Sequence, residues 1–380
     1  MLATRKLARS SHLQLNRSVR WASTFEKDKC KVVVVEGGSG GLSVAHQILD
    51  RFRRAGKPLY QDDIDLGWYT KTAFRRPFDS LIPSDRITHI SENVKLFSPA
   101  SSSITTTSGR SLTYKALVLS AGLKIGRNAI PGLSKALADP TSGVSSIYSY
   151  DTCDKVWNDI EALRMDQPIF TQPAGIIKCP GAPQKITCMA WDRYMQTKHG
   201  EKIKIDFFTG MPTMFIVKKY TDALNNLRVD RGVGGHFQHN LVSINPANRK
   251  ATFKKADQST VDVDFTLLHV TPPMGPHDFL KSSPIVDAVG RVDIDKGTLK
   301  HAKPEFGNIF ALSDCSSLPT SKTAAAITSQ APVLTENIFS VLETGKLLTV
   351  YDRQSILAEF KYGLEPKETF SWIFNQGKPK

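Results

Sequence analysis

A short apolar segment, a glycine cluster and an amphipathic stretch follow one another near the start of the chain. Residues 31–35 are almost wholly β-branched, which is typical of a strand buried in a parallel sheet. Glycines dominate residues 37–41, and residues 42–52 then place apolar side chains at helical spacing. This pattern predicts the strand, turn and helix that open a dinucleotide-binding unit.

Strands and helices continue to alternate further along the chain. Apolar or alternating runs predict strands at 116–119, 168–171, 202–208 and 308–312, and an antiparallel pair of strands within 253–270. Helical spacing predicts one helix at 186–196 and a long last helix, for which Thr320 or Ser321 is a suitable N-cap.

Together these elements predict an α/β fold of two Rossmann-like domains, the first of them discontinuous. A strand, an aspartate and a helix N-terminus that come this late in a chain usually return to the first domain. The expected boundaries are 29–150 with 303–348 for the first domain, 151–302 for the second, and 349–380 for a short C-terminal segment.

Composition and charge narrow the class of protein. The chain has 380 residues, 40% of them apolar, and no apolar run reaches the roughly 18–20 residues of a transmembrane helix. Its formal net charge is +14, and no acidic residue precedes Glu26. The Arg- and Ser-rich residues 1–24 predict a mitochondrial transit peptide, with a basic tail that targets nothing as the alternative. Aromatic residues do not interleave with the remaining positive charge, so nucleic acid is not an expected partner.

The glycine turn is the first candidate for chemistry. In a G-x-G-x-x-G turn the second glycine lets the backbone approach a pyrophosphate and the third allows close packing of helix on strand. Gly38 and Gly41 fill these positions, but Glu36 occupies the first, where its Cβ and its charge are both unfavourable. The alternative is a turn retained only for packing.

The turn after strand 168–171 contains a cysteine where a second nucleotide site would carry glycines. Pro180 and Pro183 remove backbone donors there, while Lys178 and Lys185 flank Cys179. Cations and a nearby helix N-terminus lower the pKa of a thiol, so we expect a reactive thiolate. The alternative is a buried structural cysteine.

Asp314, at the end of the strand 308–312, is the third candidate. It precedes a segment of small residues with Lys322, at the start of the last helix. A carboxylate here suits hydrogen bonds to a polyol, although it could merely cap the next turn. With the glycine turn, it suggests a flavin lying between the two segments. His236 and His239 have no evident third ligand, so no metal site is predicted.

Four motifs carry a resemblance to a known family: KCPGAPQK, FFTGMPTMFIVKKY, LLHVTPPMGP and DCSSLPTSKTAAAI, at 178–185, 207–220, 267–276 and 314–327. They resemble mitochondrial sulfide:quinone oxidoreductases, flavoproteins related to glutathione reductase. The resemblance implies FAD in the first domain, sulfide and ubiquinone as substrates, and a location on the matrix side of the inner membrane. It also implies a persulfide whose sulfane sulfur passes to an acceptor such as glutathione or sulfite.

The resemblance assigns roles to individual residues. Cys179 matches the cysteine that carries the persulfide. Ser39 and Gly40 match the pyrophosphate turn, to which the glycine pattern itself adds Gly38 and Gly41. Val94 matches the strand whose backbone meets the adenine, and Asp314 matches the ribityl contact. Lys322, Thr323, Ala324 and Ala325 match the helix start near the isoalloxazine ring. Gly122 is a candidate by its own position, because a glycine after the strand 116–119 lets the backbone approach a ligand closely.

The chain departs from the family pattern at several points. Family members have glycine at the positions of Glu36 and Ser313. Their second redox cysteine lies between a Tyr-Asp and an Ala-Glu-Phe segment, and no cysteine stands between these segments here, at 351–360. Cys188 or Cys315 could substitute. The alternative function is a catalytically impaired relative that acts as a sulfur-binding or interaction protein, and we expect weak attachment to the inner membrane at most.

Overall fold

The computed structural model describes residues 29–36, 39–53, 77–82 and 87–344, with two short paired strands at Phe360–Lys361 and Glu365–Pro366. The predicted transit peptide, Gly38 and nearly all of the predicted C-terminal segment lie outside the described residues. No helix in the described part of the chain is long and apolar enough to cross a membrane.

The strands and helices follow one another along the chain with few long gaps. The strands are β1 Lys29–Val35, β2 Val94–Ser98, β3 Ser103–Thr106, β4 Ser111–Leu119, β5 Lys124–Ile125, β6 Val144–Ser145, β7 Ile169–Gln172, β8 Asp206–Thr209, β9 Gly234–His236, β10 Asn240–Asn245, β11 Lys250–Lys254, β12 Thr260–Asp264, β13 Leu268–His269, β14 Met274–Gly275 and β15 Ile309–Ala311. The helices are α1 Ser39–Arg53, α2 Leu133–Ala138, α3 Cys153–Ala162, α4 Ala182–Met195, α5 Lys218–Asp230, α6 Asp278–Lys281 and α7 Ala324–Thr344.

The first sheet is built on β4. Strands β1 and β15 both pair with it in parallel, and β3 and β2 extend the sheet as antiparallel neighbours. The alternating and apolar residues of β4 are buried on the core side, and Ala116 to Leu119 are fully buried. Helices α1 and α7 pack against one another, joined by a hydrogen bond between the side chains of Thr335 and Gln47.

The second sheet has the order β6-β13-β7-β8-β9, and all of its pairings are parallel. Beside it, β10, β11 and β12 form an antiparallel sheet. The predicted antiparallel pair within 253–270 is therefore confirmed for β11 and β12. Between the two large sheets the chain passes through β5 on the way out and β14 on the way back, and these two strands pair with each other.

Each large sheet has its own apolar core. One cluster surrounds β1, β4 and β15, and it also takes in Leu280, Ile285, Val292, Ile294 and Leu299. Two further clusters cover the two faces of the second sheet. Because β6 pairs within the second sheet and residues 280–299 pack in the first cluster, the chain changes sheet near 144 and again near 275. The domain boundaries predicted at 150 and 303 remain predictions.

The start of the last helix differs from the prediction. We expected Thr320 or Ser321 as the N-cap, but α7 begins at Ala324, and the Thr323 hydroxyl accepts a hydrogen bond of 3.2 Å from the Ala326 N–H. The reason is a long-range contact: Lys322 pairs with Lys178 as an isolated parallel bridge, so the chain stays extended up to that residue.

Candidate active site

The carboxyl ends of β1, β4 and β15 meet at one edge of the first sheet, and α1 begins there. A Cβ on Gly41 would lie 2.0 Å from the carbonyl oxygen of Glu36, which no side chain tolerates. A Cβ on Gly40 would lie 3.3–3.4 Å from the side chains of Ser120 and Ser313. The absence of side chains at 40 and 41 therefore lets the N-terminus of α1 pack directly onto the strand ends.

Two features at this edge are open to a ligand. The Ser120 hydroxyl is buried, lies beside Gly40 and Gly41, and has no hydrogen-bond partner within the described chain. Gly122 has a φ of 63°, and nothing lies within 4 Å of the place where its Cβ would stand. A left-handed glycine in open space lets another molecule approach the backbone closely.

Two residues that replace family glycines hold left-handed backbone conformations. Glu36 has a φ of 86° and Ser313 a φ of 65°. Ser313 is held there by the hydrogen bond from its N–H to the Gln330 side chain (2.8 Å) and by the Ser316 hydroxyl, which donates to its carbonyl oxygen (2.7 Å). Both positions thus retain the backbone conformation that favours glycine, at a cost of ~1–2 kcal/mol each.

Asp314 and Lys322 lie close to each other at the same edge. The Lys322 ammonium is buried and donates to the carbonyl oxygens of Ser316 (2.9 Å) and Leu318 (3.1 Å). Burial lowers the pKa of Lys322 to about 8, with a further contribution from Arg291, while Asp314 acts in the opposite direction. Burial raises the pKa of the Asp314 carboxyl, and the cations of Lys322 and Lys178 partly offset this rise.

Cys179 is brought to this group by main-chain pairing between the two halves of the molecule. Its N–H donates to the carbonyl oxygen of Lys322 (2.7 Å), and its own carbonyl oxygen accepts from the Ala182 N–H (2.8 Å) at the start of α4. The residue is exposed, and a backbone hydrogen bond joins its sulfur to Ala324 in the first turn of α7. The predicted site residues 179, 314, 322 and 324 are therefore neighbours.

The electrostatics of Cys179 correct the sequence-based expectation. We expected flanking lysines to lower the pKa of the thiol, but the pKa is raised, first by desolvation and then by the Asp314 carboxylate. The hydrogen bond from Ala324 and the cations of Lys185 and Lys178 oppose these effects without overcoming them. The sequence showed the lysines but not the carboxylate that faces the sulfur.

The other cysteines do not pair with Cys179, since all five cysteines are free. Cys315 is fully buried, its sulfur donates to the carbonyl oxygens of Leu119 and Leu312, and burial raises its pKa to about 12. Cys188 lies within α4 and lines a small cavity of about 20 Å³ together with Trp191 and Arg231. Neither residue stands as a resolving thiol in this structure.

The remaining predicted residues occupy three places. Ser39 is the exposed first residue of α1, Thr323 directly precedes α7, and Ala325 lies in its first turn. Val94 lies apart from the group, because it opens β2, pairs with Thr106 and is separated from β1 by two strands. Its contact with adenine remains a prediction.

Sequence reasoning missed two residues of the site. Ser120 is not among the predicted site residues, although its unpartnered hydroxyl lies beside the glycines of α1. Tyr148 lies in a connecting segment without any motif, yet its hydroxyl lies 3.3 and 3.4 Å from the carbonyl oxygens of Lys178 and Cys179. The one sequence signal for Ser120 is its position directly after the apolar strand 116–119, and no sequence signal marks Tyr148.

The described residues fit the FAD that the resemblance implies. The N-terminus of α1 suits a pyrophosphate, Gly122 leaves open space, and the Ser120 hydroxyl lacks a partner that a bound group would supply. Asp314 and Lys322 offer an acceptor and a cation at the adjoining edge. Glu36 is the one described residue here whose charge opposes a phosphate.

Comparison with known proteins agrees with this arrangement. The chain is 39% identical over 408 residues to the mitochondrial sulfide:quinone oxidoreductase of Schizosaccharomyces pombe (97% of this chain, 88% of the relative) and 39% identical over 379 residues to that of Dictyostelium discoideum (93% and 82%). The solved sulfide:quinone oxidoreductase of Aquifex aeolicus shares the fold with a TM-score of 0.63 at 17% identity, covering 82% of this chain and 76% of that one. No family model matches the chain. The identity and coverage of the curated relatives show that the chain belongs to the mitochondrial sulfide:quinone oxidoreductases, a family of FAD-dependent enzymes.

Proposed function

We propose that this protein oxidises sulfide in mitochondria and passes the electrons through FAD to ubiquinone. The observation that supports the proposal is the pairing of Lys178 with Lys322, in which the Cys179 N–H donates to the carbonyl oxygen of Lys322, just before the start of α7. Formation of a persulfide joins the sulfur of sulfide to that of a cysteine and releases an electron pair, so the thiol has to lie beside the site of the cofactor that would accept the pair.

The overall reaction balances as hydrogen sulfide plus a thiol acceptor plus quinone, giving a persulfide of the acceptor plus quinol. Cys179 is the residue proposed to carry the sulfane sulfur before it passes to an acceptor such as glutathione or sulfite. Lys178 and Lys185 favour anionic sulfur at this position, because both act to lower the pKa of the thiol. Asp314 has the opposite effect and favours the protonated thiol before sulfide arrives.

The residues proposed to hold FAD are those at the edge of the first sheet. They are Gly38, Ser39, Gly40 and Gly41 at the turn, Val94, Gly122, Asp314, and Lys322, Thr323, Ala324 and Ala325. When bound, FAD would supply the acceptor for the electron pair that leaves sulfur. The Lys322 ammonium is fixed by two carbonyl oxygens, so its charge stays in place to stabilise an anion nearby without reorganisation.

A second candidate function rests on the cysteines. Within the described residues Cys179 has no thiol partner, because Cys315 faces the interior of the first sheet and Cys188 faces the Trp191 cavity. A chain with one reactive cysteine could hold a sulfane sulfur without completing turnover. It would then act as a sulfur-binding or interaction protein derived from the enzyme.

Flavin content and turnover distinguish the two candidates. We expect purified protein to show an oxidised flavin spectrum with FAD close to one per chain, and to reduce a short-chain quinone when sulfide is added. Cys179→Ser should abolish quinone reduction and retain FAD, whereas the matched Cys188→Ser should retain both. If Cys179→Ser still reduces quinone as the wild type does, the proposed role of Cys179 is refuted. Flavin without turnover, together with a persulfide on Cys179, would favour the second candidate.

Location and membrane contact are the finer parts of the proposal. We propose a location on the matrix side of the inner membrane, because the membrane contains the quinone that accepts the electrons. We expect the attachment to this membrane to be weak at most. Fractionation of mitochondria at increasing salt tests this directly: release at moderate salt is expected, and retention through a high-salt wash would contradict weak attachment.

A further inference from the structure

Cys179 holds a backbone conformation that residues other than glycine rarely adopt. Its φ is 50°, in the left-handed region, where the Cβ atom crowds the neighbouring carbonyl oxygen. Strain of this kind persists only where the surrounding structure holds it in place. The contacts around residues 178 and 179 therefore decide how the thiol is presented.

Two of these contacts come from the main chain. The Cys179 N–H donates to Lys322 at 2.7 Å, and the Cys179 carbonyl oxygen accepts from Ala182 at 2.8 Å. The Lys178 N–H also points to the sulfur of Met274, at 3.3 Å, in the strand that returns to the first sheet. The strained turn is thus contacted by main-chain groups of α4 and of the segment before α7, and by a side chain of β14.

A tyrosine covers a further side of this turn. Tyr148 is only 8% exposed, and its hydroxyl lies 3.3 Å from the carbonyl oxygen of Lys178 and 3.4 Å from that of Cys179. A single hydroxyl proton is therefore shared between the two carbonyl groups that flank the strained φ. Burial raises the pKa of the phenol, so the hydroxyl remains a donor at any working pH.

The tyrosine is itself fixed from behind. The neighbouring Ile147 N–H donates to the Nε2 atom of His269 at 3.2 Å, and the Tyr148 N–H donates to the Ser146 hydroxyl at 3.3 Å. Burial lowers the pKa of His269 to about 3, so the imidazole is neutral and accepts this bond. The segment that carries the phenol is therefore anchored in the second sheet, to which β13 and His269 belong.

We propose that Tyr148 is a positioning residue, which holds Cys179 in its left-handed conformation by donating to the carbonyl oxygens of residues 178 and 179. The role deepens the proposed function, on which it rests, because it explains how the second sheet presents the thiol to the edge of the first. Tyr148 touches neither substrate nor cofactor in this role. Its removal should loosen the turn rather than remove a reacting group.

Hydrogen exchange of the Cys179 amide tests the proposal without requiring turnover. Pro180 carries no amide, so the signal of this turn comes from few residues. In Tyr148→Phe we expect the Cys179 amide to exchange at least about threefold faster, which is the effect of losing one weak hydrogen bond. The matched control is Tyr194→Phe, which removes a hydroxyl that is buried in the second sheet's core and has no hydrogen-bond partner there. It should leave the exchange unchanged.

Three results would overturn the proposal. The first is a Cys179 amide that exchanges in Tyr148→Phe at the wild-type rate, and the second is an equal acceleration in Tyr194→Phe. The third needs no variant: a wild-type Cys179 amide that exchanges as fast as that of the exposed Ile176 would mean that the turn is not held. If the wild type oxidises sulfide, Tyr148→Phe should lower kcat and leave the KM for quinone unchanged. Failure of the sulfide assay alone would refute the proposed function and leave the exchange result standing.

Discussion

A carboxylate and a thiol oppose each other at the centre of the candidate site. Asp314 follows β15 and Cys179 lies in the turn before α4. Desolvation raises the pKa of the Cys179 thiol most, and the charge of Asp314 raises it further. A thiol held protonated in this way reacts slowly until a cation or a substrate offsets the carboxylate. We therefore propose that Asp314 slows the reaction of Cys179, in addition to its proposed contact with the ribityl chain.

Replacing Asp314 by asparagine should shift the titration of Cys179 to lower pH. The amide retains the shape of the side chain and removes the charge, so one of the two causes of the raised pKa is lost while desolvation remains. The rate of iodoacetamide labelling of Cys179, followed by peptide mass spectrometry across a pH series, measures the midpoint. Asp278→Asn, an exposed carboxylate paired with Lys124 and Lys281, is the control and should leave the midpoint in place. A midpoint in Asp314→Asn at or above that of the wild type would contradict the assignment.

The same residues show what a sequence reveals about a site and what it hides. Lys178, Lys185 and Cys179 are adjacent along the chain, so their mutual effect could be anticipated. Asp314 acts on the sulfur only because Lys322 pairs with Lys178, and no local pattern announces that contact. The predicted direction of the pKa shift was therefore wrong.

Helix α7 illustrates the same point for an element. Its existence and position follow from apolar spacing after residue 324, but its first residue is set by the chain extending to Lys322 to meet the cysteine turn. The N-cap contact consequently moves to Thr323, whose hydroxyl accepts from the Ala326 N–H. Strands β1, β7 and β15 were predicted well, because a buried parallel strand leaves a continuous apolar run in the sequence.

The position of the cap leads to a stability prediction. Thr323→Ala removes the acceptor for an otherwise unsatisfied N–H of the first turn and should lower the free energy of unfolding by about 1 kcal/mol. Ser321→Ala changes one of the two residues that the sequence suggests as the N-cap, and it should have an effect below about 0.3 kcal/mol. Urea unfolding of both variants, followed by far-UV circular dichroism, gives the comparison. A larger loss in Ser321→Ala than in Thr323→Ala would place the cap where the sequence pattern put it.

At the scale of the whole molecule, the candidate site is assembled from both ends of the chain. The glycines of α1 come from its beginning, Gly122 from the end of β4, and Asp314 and Lys322 from the segment that returns after the second sheet is complete. The α/β class and the two-sheet organisation could be predicted, because each βα unit is a local pattern. The contact between the two sheets at Cys179 could not, because it joins segments that have no common periodicity.

We expect Glu36 to weaken the binding of FAD, and two substitutions separate its two unfavourable properties, its charge and its backbone strain. Glu36→Gln removes the charge beside the pyrophosphate site and retains a side chain at a φ of 86°, so we expect FAD to bind about fivefold more tightly, equivalent to about 1 kcal/mol. Glu36→Gly removes both the charge and the strain, so it should show the same gain in affinity and in addition raise the stability of the FAD-free chain by about 0.5–1 kcal/mol.

Titration of refolded, FAD-free protein with FAD at low and high salt measures the affinity, and thermal unfolding without FAD measures the stability. The gain in affinity should shrink at high salt, because the repulsion from an exposed carboxylate is screened. Glu305→Gln, which removes an exposed charge from another surface turn, should change neither quantity. If Glu36→Gln binds FAD no better than the wild type while Glu36→Gly does, backbone strain rather than charge limits the site. If neither variant gains affinity, the turn at Glu36 already accepts the pyrophosphate, and the family's glycine at this position is dispensable in this chain.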